Sequence, residues 1–427
     1  MTDVNLVNNL WVLICALLVF SMTMSVGLLE IGELGETYSR SLLKVLLITG
    51  SALFFMAFLG FNTAFAPTFG GIIGNPLYNG GIFLGGFSAA ATGLLSGVWW
   101  SMDTAYFATG LTTGTYFLFE TAFASVTLAL VGVVVLKKMK LEAFLAFSVV
   151  YFILIWNLPA AWIWNPTGWL YLLGVRDFAG GLVVHGAAGA AGLAIVHRIW
   201  REEKKKGLTE SLIVHSSVNP TWLTLAILLL WMGWFGFNPG SVLAFNSSAI
   251  TVVLTTFLAA ASALLSVMFF RYLKTKRNPD LIYANNGILM GLIVITPIAG
   301  FVSPGSAVIL GVIAGPLYLV GEGWFGKRKW FSDPVGLFPG HLLGGLFGLV
   351  MIGFFTQSAF AAASGNANLP NGLLFGGGFD ALHQLGLEAF AALVVMAVVF
   401  ALSYATLEAI AWAMHGVTTK YKDEVIV

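Results

Sequence analysis

The sequence predicts an all-α membrane protein of eleven transmembrane helices: an inverted five-plus-five repeat and one added C-terminal helix, N-terminus outside and C-terminus inside. Three observations predict this: the composition, the alternation of basic loops, and a motif that occurs twice.

Of 427 residues, 58% are hydrophobic and 9% are charged. A soluble chain carries about a quarter charged residues, so most of this surface must face lipid. The net charge of +1 gives no reason to expect a nucleic-acid partner. The single cysteine, Cys15, excludes an internal disulfide framework and a cysteine metal cluster. No metal or cofactor is expected. An enzyme reading finds no nucleophile–base motif and no phosphate-binding loop.

A spanning helix needs about 20 mostly apolar residues. The first run, near 6–30, has no basic n-region or small-residue cleavage site, so it reads as a helix and not a signal peptide. The second, near 42–66, opens on Arg40 and Lys44. Residues 68–107 are apolar but glycine-rich and broken by Asn79 and Asp103, and read as a long external loop with partial helix. The third span, near 108–136, is followed by Lys137, Lys138 and Lys140. The fourth, near 141–163, leads to a loop whose one basic residue is Arg176. The fifth, near 177–199, runs into Arg198, Arg201, Lys204, Lys205 and Lys206. The sixth and seventh, near 220–243 and 248–273, are joined by a loop without basic residues, and Arg271, Lys274, Lys276 and Arg277 follow. The eighth and ninth, near 283–301 and 304–324, repeat this order, with Lys327, Arg328 and Lys329 after them. The tenth, near 335–355, leads through a segment free of Lys and Arg to the eleventh, near 384–414, and a short tail, 415–427, carries Lys420 and Lys422. Of the 20 basic residues, all but Arg176 fall on alternate loops. Positive loops face the cytoplasm, which sets the orientation.

The motif D-x2-G-x4-H-x3-G-x2-G occurs as Asp177, Gly180, His185, Gly189, Gly192 and again as Asp333, Gly336, His341, Gly345, Gly348. The copies open the fifth and tenth spans, so their helices run oppositely through a bilayer. This predicts one membrane domain in two repeats, about 6–199 and 220–355, with the extra helix about 384–414. Substrate sites in such folds lie near the midplane, at the repeat interface. Eight residues of helix rise about 12 Å, which brings both imidazoles to the centre of a core about 30 Å thick. Glycines allow close helix approach. A lone membrane histidine can simply be satisfied by its neighbours, but a matched pair at this depth points to function.

These segments resemble the Amt/Mep/Rh ammonium transporter family: Asp177 to Gly192 (DFAGGLVVHGAAGAAG), Trp234 to Ser241 (WFGFNPGS), Asn286 to Pro304 (NGILMGLIVITPIAGFVSP), Asp333 to Gly345 (DPVGLFPGHLLGG) and, more weakly, Phe119 to Thr127 (FETAFASVT). The resemblance implies transport of ammonium or ammonia, and of methylammonium, through one pore per subunit of a homotrimer in the plasma or inner membrane. By motif, His185 and His341 are the twin pore histidines, and Phe123 and Phe237 the stacked phenyl gate. Trp164 and Ser241, with Phe123, form the outer cation site. Asp177 is the acidic residue below that site. Its carboxylate is also suited to cap the start of the fifth span.

These roles have physical reasons. Ammonium resembles potassium in size, so size cannot select it. Aromatic faces attract a cation, Trp best, and a hydroxyl adds an acceptor. Ammonium can shed its charge before an apolar lumen by losing a proton, and potassium cannot. A neutral imidazole then offers one donor and one acceptor.

The plainer readings are equally concrete. Most of the 35 phenylalanines and 14 tryptophans are packing or interfacial residues. Trp162 and Trp169 rival Trp164, and Ser241 can be a helix cap. Glu120 stands where the family usually has an uncharged amide. Glu120 and Glu408 both read as intramembrane carboxylates that must be protonated, paired or functional. His215, His383 and His415 read as structural, and His197 as part of the basic edge. The chain departs from the family at Thr37–Arg40 and in its short tail, which argues against a nitrogen-regulatory partner protein. Two rivals to transport are a membrane sensor that binds ammonium without passing it, and an ion-coupled transporter of an organic solute with a roomier, more polar midplane.

Overall fold

A computed structural model describes residues 2–35, 37–78, 110–135, 138–207, 218–278, 280–327, 333 and 336–419. The expected loop at 68–107 falls mostly outside them, as does His215. Among the described residues eleven apolar helices carry the fold: α1 (Asp3–Leu34), α2 (Tyr38–Phe65), α3 (Thr113–Val133), α4 (Leu141–Ile163), α5 (Gly181–Lys205), α6 (Pro220–Gly240), α7 (Ser247–Thr275), α8 (Leu281–Ile295), α9 (Pro304–Phe325), α10 (Leu337–Phe355) and α11 (Gly378–Ala413). Ten are long and apolar enough to cross a membrane, and α8 is shorter.

Short polar side chains start several helices by accepting the otherwise unpaired first N–H groups. Thr2 serves α1, Asn219 serves α6, Asn246 serves α7, Asp280 serves α8 and Ser303 serves α9. Pro220 and Pro304 follow their caps at the first helical position, where a missing N–H costs nothing.

The eighth span stops early. The apolar run suggests 283–301, yet the helix ends at Ile295. Pro297 lacks the N–H that would continue it. Turns carry the chain from Thr296 to Phe301, with Thr296 N–H bonded to Ile293 O and Ile298 N–H to Ile295 O. Pro297 O in turn accepts the N–H of Phe178, just before α5.

Wide turns interrupt α2 at Met56–Gly60 and α4 at Tyr151–Ile155. Such turns free backbone carbonyls, which apolar surroundings cannot satisfy. Asn157 Nδ2 donates to Gly60 O (2.7 Å) and Phe152 O (2.9 Å), and Thr63 Oγ1 to Gly60 O (2.8 Å) and Ile153 O (3.0 Å). The two interruptions are thus stitched to each other. A two-residue hairpin follows α2, pairing β1 (Thr68–Phe69) with β2 (Ile73–Gly74).

The ends of the bundle separate by charge. At one end Arg40 reaches Met139 O (3.4 Å), Lys140 N–H donates to Val417 O (2.8 Å) and Thr419 N–H to Lys138 O (2.9 Å). Lys44, which the sequence places at a basic loop, is buried there and bonds to Glu30 and to Gly132 O. Glu408 belongs to this end and not to the membrane interior: it is 41% exposed and pairs with Arg201 at 2.8 Å and Arg198 at 3.4 Å. The opposite end joins Thr68 to Thr167 and Gln384 to Gly174 O (3.0 Å). Arg176, the exception to the charge alternation, lies at that opposite end, where its N–H donates to Glu388 Oε1 (2.9 Å).

Candidate functional site

The repeated motif folds the same way twice. Ahead of α5, the Asp177 carboxylate accepts four backbone N–H groups: Gly180 (3.0 Å), Gly181 (2.7 Å), Leu182 (2.8 Å) and Val183 (2.9 Å). Ahead of α10, Asp333 accepts from Leu337 and Phe338, both at 2.8 Å. Gly180 (φ 112°) and Gly336 (φ 71°) turn the chain through the left-handed region, which a side chain would disfavour. Each helix then begins with a wide turn. Ala187 N–H reaches back to Leu182 O, and Leu343 N–H to Phe338 O. His185 and His341 sit in these turns, and such turns are frequent at functional sites.

The two helices cross with their sequences running in opposite directions. A Cβ at Gly192 would meet Leu337, one at Gly189 would meet Leu342, and one at Gly345 would meet Gly181. The missing side chains let the histidine turns touch. His185 Nδ1 and His341 Nδ1 lie 3.0 Å apart, with ring centroids at 5.0 Å.

From this pair a row of rings leads outward. His185 stacks on Phe237 (5.9 Å between centroids, 13° between planes) and on Trp234 (6.0 Å, 20°). Trp234 is held by donating to Thr296 Oγ1 (3.1 Å). Phe237 meets Phe123 at 4.4 Å, and Phe123 meets the edge of Trp164 at 5.7 Å. The phenyl rings are tilted by 42° and not stacked in parallel as expected; ring quadrupoles disfavour a face-to-face sandwich. The Trp164 indole N–H donates to the Asp177 backbone O at 2.8 Å. One aspartate therefore fixes both the start of α5 and the tryptophan above it.

Beyond Phe123 lies a cavity of about 110 Å³, lined by Tyr116, Phe119, Glu120, Phe123, Trp164, Phe178, Ser241 and Leu243. That volume holds roughly three waters at about 30 Å³ each. It fits a small cation with a remnant of its hydration.

The structure brings His185, His341, Phe123, Phe237, Trp164 and Ser241 to this cavity or its row. Ser241 also answers to the plainer reading, since its hydroxyl donates to Phe237 O at 2.9 Å near the end of α6. Asp177 lies behind the row, each carboxylate oxygen taken by two N–H groups. Trp162 bonds instead to Ile72 O (2.7 Å) and packs edge-on against Trp169 (5.7 Å), so neither rival lines the cavity. Sequence reasoning passed over Glu388. It is fully buried on α11 and accepts from Arg176 N–H and from Gln384 Nε2 (2.6 Å). A carboxylate deep in an apolar run was the available signal.

A model of the Ammonium Transporter Family matches residues 10–424. The ammonium transporter of Bacillus subtilis is 30% identical over 373 residues, 86% of this chain and 84% of the relative. Ammonium transporter Amt1 of Archaeoglobus fulgidus is 32% identical over 374 residues, again 86% of this chain and 84% of the relative. Among solved structures, a sensor Amt protein is 26% identical and superposes with a TM-score of 0.80, covering 98% of this chain and 96% of its own. Saccharomyces cerevisiae Mep2, at 23% identity, shares the fold with a TM-score of 0.82 over 100% of this chain and 92% of its own. The match runs through both histidine helices and all eleven spans, and the chain belongs to the Ammonium Transporter Family.

Proposed function

We propose that this ammonium transporter takes up its cation in the cavity beside Trp164, Ser241 and Phe123, lets it give up a proton there to water at the outer face, and passes ammonia between Phe123 and Phe237 to His185 and His341. One observation carries the reading: an unbroken row from Trp164 through Phe123, Phe237 and His185 to His341, starting at a cavity sized for a small ion. Two rings 4.4 Å apart leave no room for a hydrated ion between them. A bare ion there would lose its hydration against apolar ring carbons, at a cost of many kcal/mol. Ammonium escapes that cost by leaving its charge behind. The imidazoles beyond the rings then provide hydrogen-bond partners in an otherwise apolar interior.

The same reading covers the rest of the assembly. The chain forms one membrane domain, 1–427, with repeats near 6–199 and 220–355 inverted with respect to each other, and α11 added. The basic end faces the cytoplasm and the Trp164 cavity faces outward, in the plasma or inner membrane. Methylammonium shares the route, and three copies assemble as a homotrimer with one pathway each.

The experiment is reconstitution into a supported membrane with ammonium-evoked current and ammonia flux as readouts. Wild type should carry ammonium, and a chain bearing both His185→Ala and His341→Ala should lose flux or lose selectivity against potassium. The likeness to a sensor Amt protein makes a binding-only role the second reading. Ammonium binding by wild type without current or flux would decide for it.

A further inference from the structure

Among the described residues Glu120 is the one carboxylate lining the outer cavity. It is 5% exposed, and its Oε2, itself buried, has no hydrogen-bond partner among the described residues. The Tyr116 hydroxyl, one turn earlier on α3, hydrogen-bonds to the same carboxylate, which leaves that bond to Oε1. Among the described residues no Lys or Arg side chain lines the cavity, and its other walls are aromatic rings, Ser241 and Leu243. A buried carboxylate oxygen without a donor is costly. It is not explained as a structural pin in the way of Asp177, both of whose oxygens take backbone donors; Glu388 also leaves its Oε2 unpaired, but it does not line this cavity. Phe123 is three residues further along α3, on the same side of the helix, and carries the row of rings inward.

From this arrangement we infer that Glu120 is a binding residue for the transported cation: its free oxygen accepts an N–H of ammonium in the outer cavity. The inference rests on the transport reading above. The geometry supplies complementary parts. Ammonium brings four N–H donors and one positive charge. The rings of Phe123 and Trp164 attract that charge through their faces, and Ser241 offers a hydroxyl oxygen. Glu120 is the only carboxylate among the described lining side chains, and in its ionised form it adds a full negative charge and one further acceptor, with Tyr116 bonded to the other oxygen. A charge-assisted bond of this kind is about twice as strong as a neutral one. The residue therefore determines how dilute an ammonium solution the protein can draw on, and its contribution ends where the cation gives up its charge.

The test compares wild type, E120Q and E120D in proteoliposomes. It measures ammonium-evoked flux against concentration, with thermal unfolding of each purified variant as a control for folding. E120Q keeps the shape and removes the charge. Its half-saturation concentration should rise by about tenfold or more, from the worth of a hydrogen bond to a charged group, while its maximal flux stays within about threefold of wild type. E120D keeps the charge on a shorter arm and should fall between the two. A folded E120Q with wild-type half-saturation overturns the inference and leaves transport standing. So does a loss of maximal flux that is equal in E120Q and E120D, because that marks a packing role. Absence of flux in wild type overturns the transport reading, and this inference with it.

Discussion

Gly345→Ala tests the crossing that brings the histidines together. Its methyl carbon would sit 2.4 Å from the Gly181 carbonyl oxygen and 2.9 Å from His185 Cβ. Ordinary contact between such atoms lies near 3.4 Å, so the helices must part by about 1 Å. The obstacle is backbone, in a turn whose N–H groups are held by Asp177, and it cannot swing away as a flexible side chain would. The same displacement carries the Nδ1–Nδ1 separation from 3.0 Å to about 4 Å, past hydrogen-bonding range. Overpacking of this size costs about 1–3 kcal/mol, which leaves the protein folded. Misplacement by about 1 Å in a reacting or conducting geometry costs far more in rate, by one to two orders of magnitude. We therefore expect G345A to insert and to unfold at a slightly lower temperature. Its ammonium flux in proteoliposomes should drop roughly tenfold or more. Gly323→Ala is the control, since a Cβ there meets nothing within 4 Å, and its flux should match wild type. Wild-type flux through G345A, together with an unchanged histidine separation in its structure, would refute the link between crossing and conduction.

Asp177→Asn keeps the volume of the cap but places an NH2 group among four N–H donors, losing about two bonds. We expect a cost of about 2–4 kcal/mol in thermal unfolding, and more for Asp177→Ala. Wild-type stability of D177N would show that the cap matters little. At the basic end, Glu202 accepts from Arg198 (3.1 Å), Lys206 (2.9 Å) and the N–H groups of Val417 (2.9 Å) and Thr418 (3.3 Å). Glu202→Gln should release the strap at 414–419, read as about tenfold faster amide exchange there, while ammonium flux is preserved. Unchanged exchange would place the strap's hold in the Lys138 and Lys140 contacts instead.

Much of this architecture is legible in the residue order, because the bilayer leaves few options. Runs of about 20 apolar residues located all eleven helices, with ends that differ by up to about six positions. The strongest signal at the site was duplication: Asp177 and Asp333, Gly180 and Gly336, His185 and His341 recur at one spacing, and each pair adopts one local geometry. What stayed hidden depends on contacts between distant segments. The early end of α8 follows from Pro297, whose missing N–H outweighs an apolar run that continues to Phe301. The wide turns in α2 and α4 are satisfied by Asn157 and Thr63, about 94 positions apart in the chain, and no periodicity reveals them. Glu408 looked buried because its neighbours are apolar, yet Arg198 and Arg201 reach it from another helix. The choice of Trp164 over Trp162 and Trp169 also depended on partners, namely Asp177 O for the first and Ile72 O for the second.

The facing Nδ1 atoms carry a consequence for proton bookkeeping. Between two neutral rings so placed, a single hydrogen occupies the gap, so one imidazole donates and the other must accept. The acceptor then carries its hydrogen on Nε2, while the donor's Nε2 is a bare lone pair. Two halves with matching backbones thus cannot have matching tautomers at any instant. A guest passing the pair meets a base at one Nε2 and an acid at the other, and the two exchange roles only when one Nε2 gains a proton and the other loses one as the shared hydrogen crosses the gap.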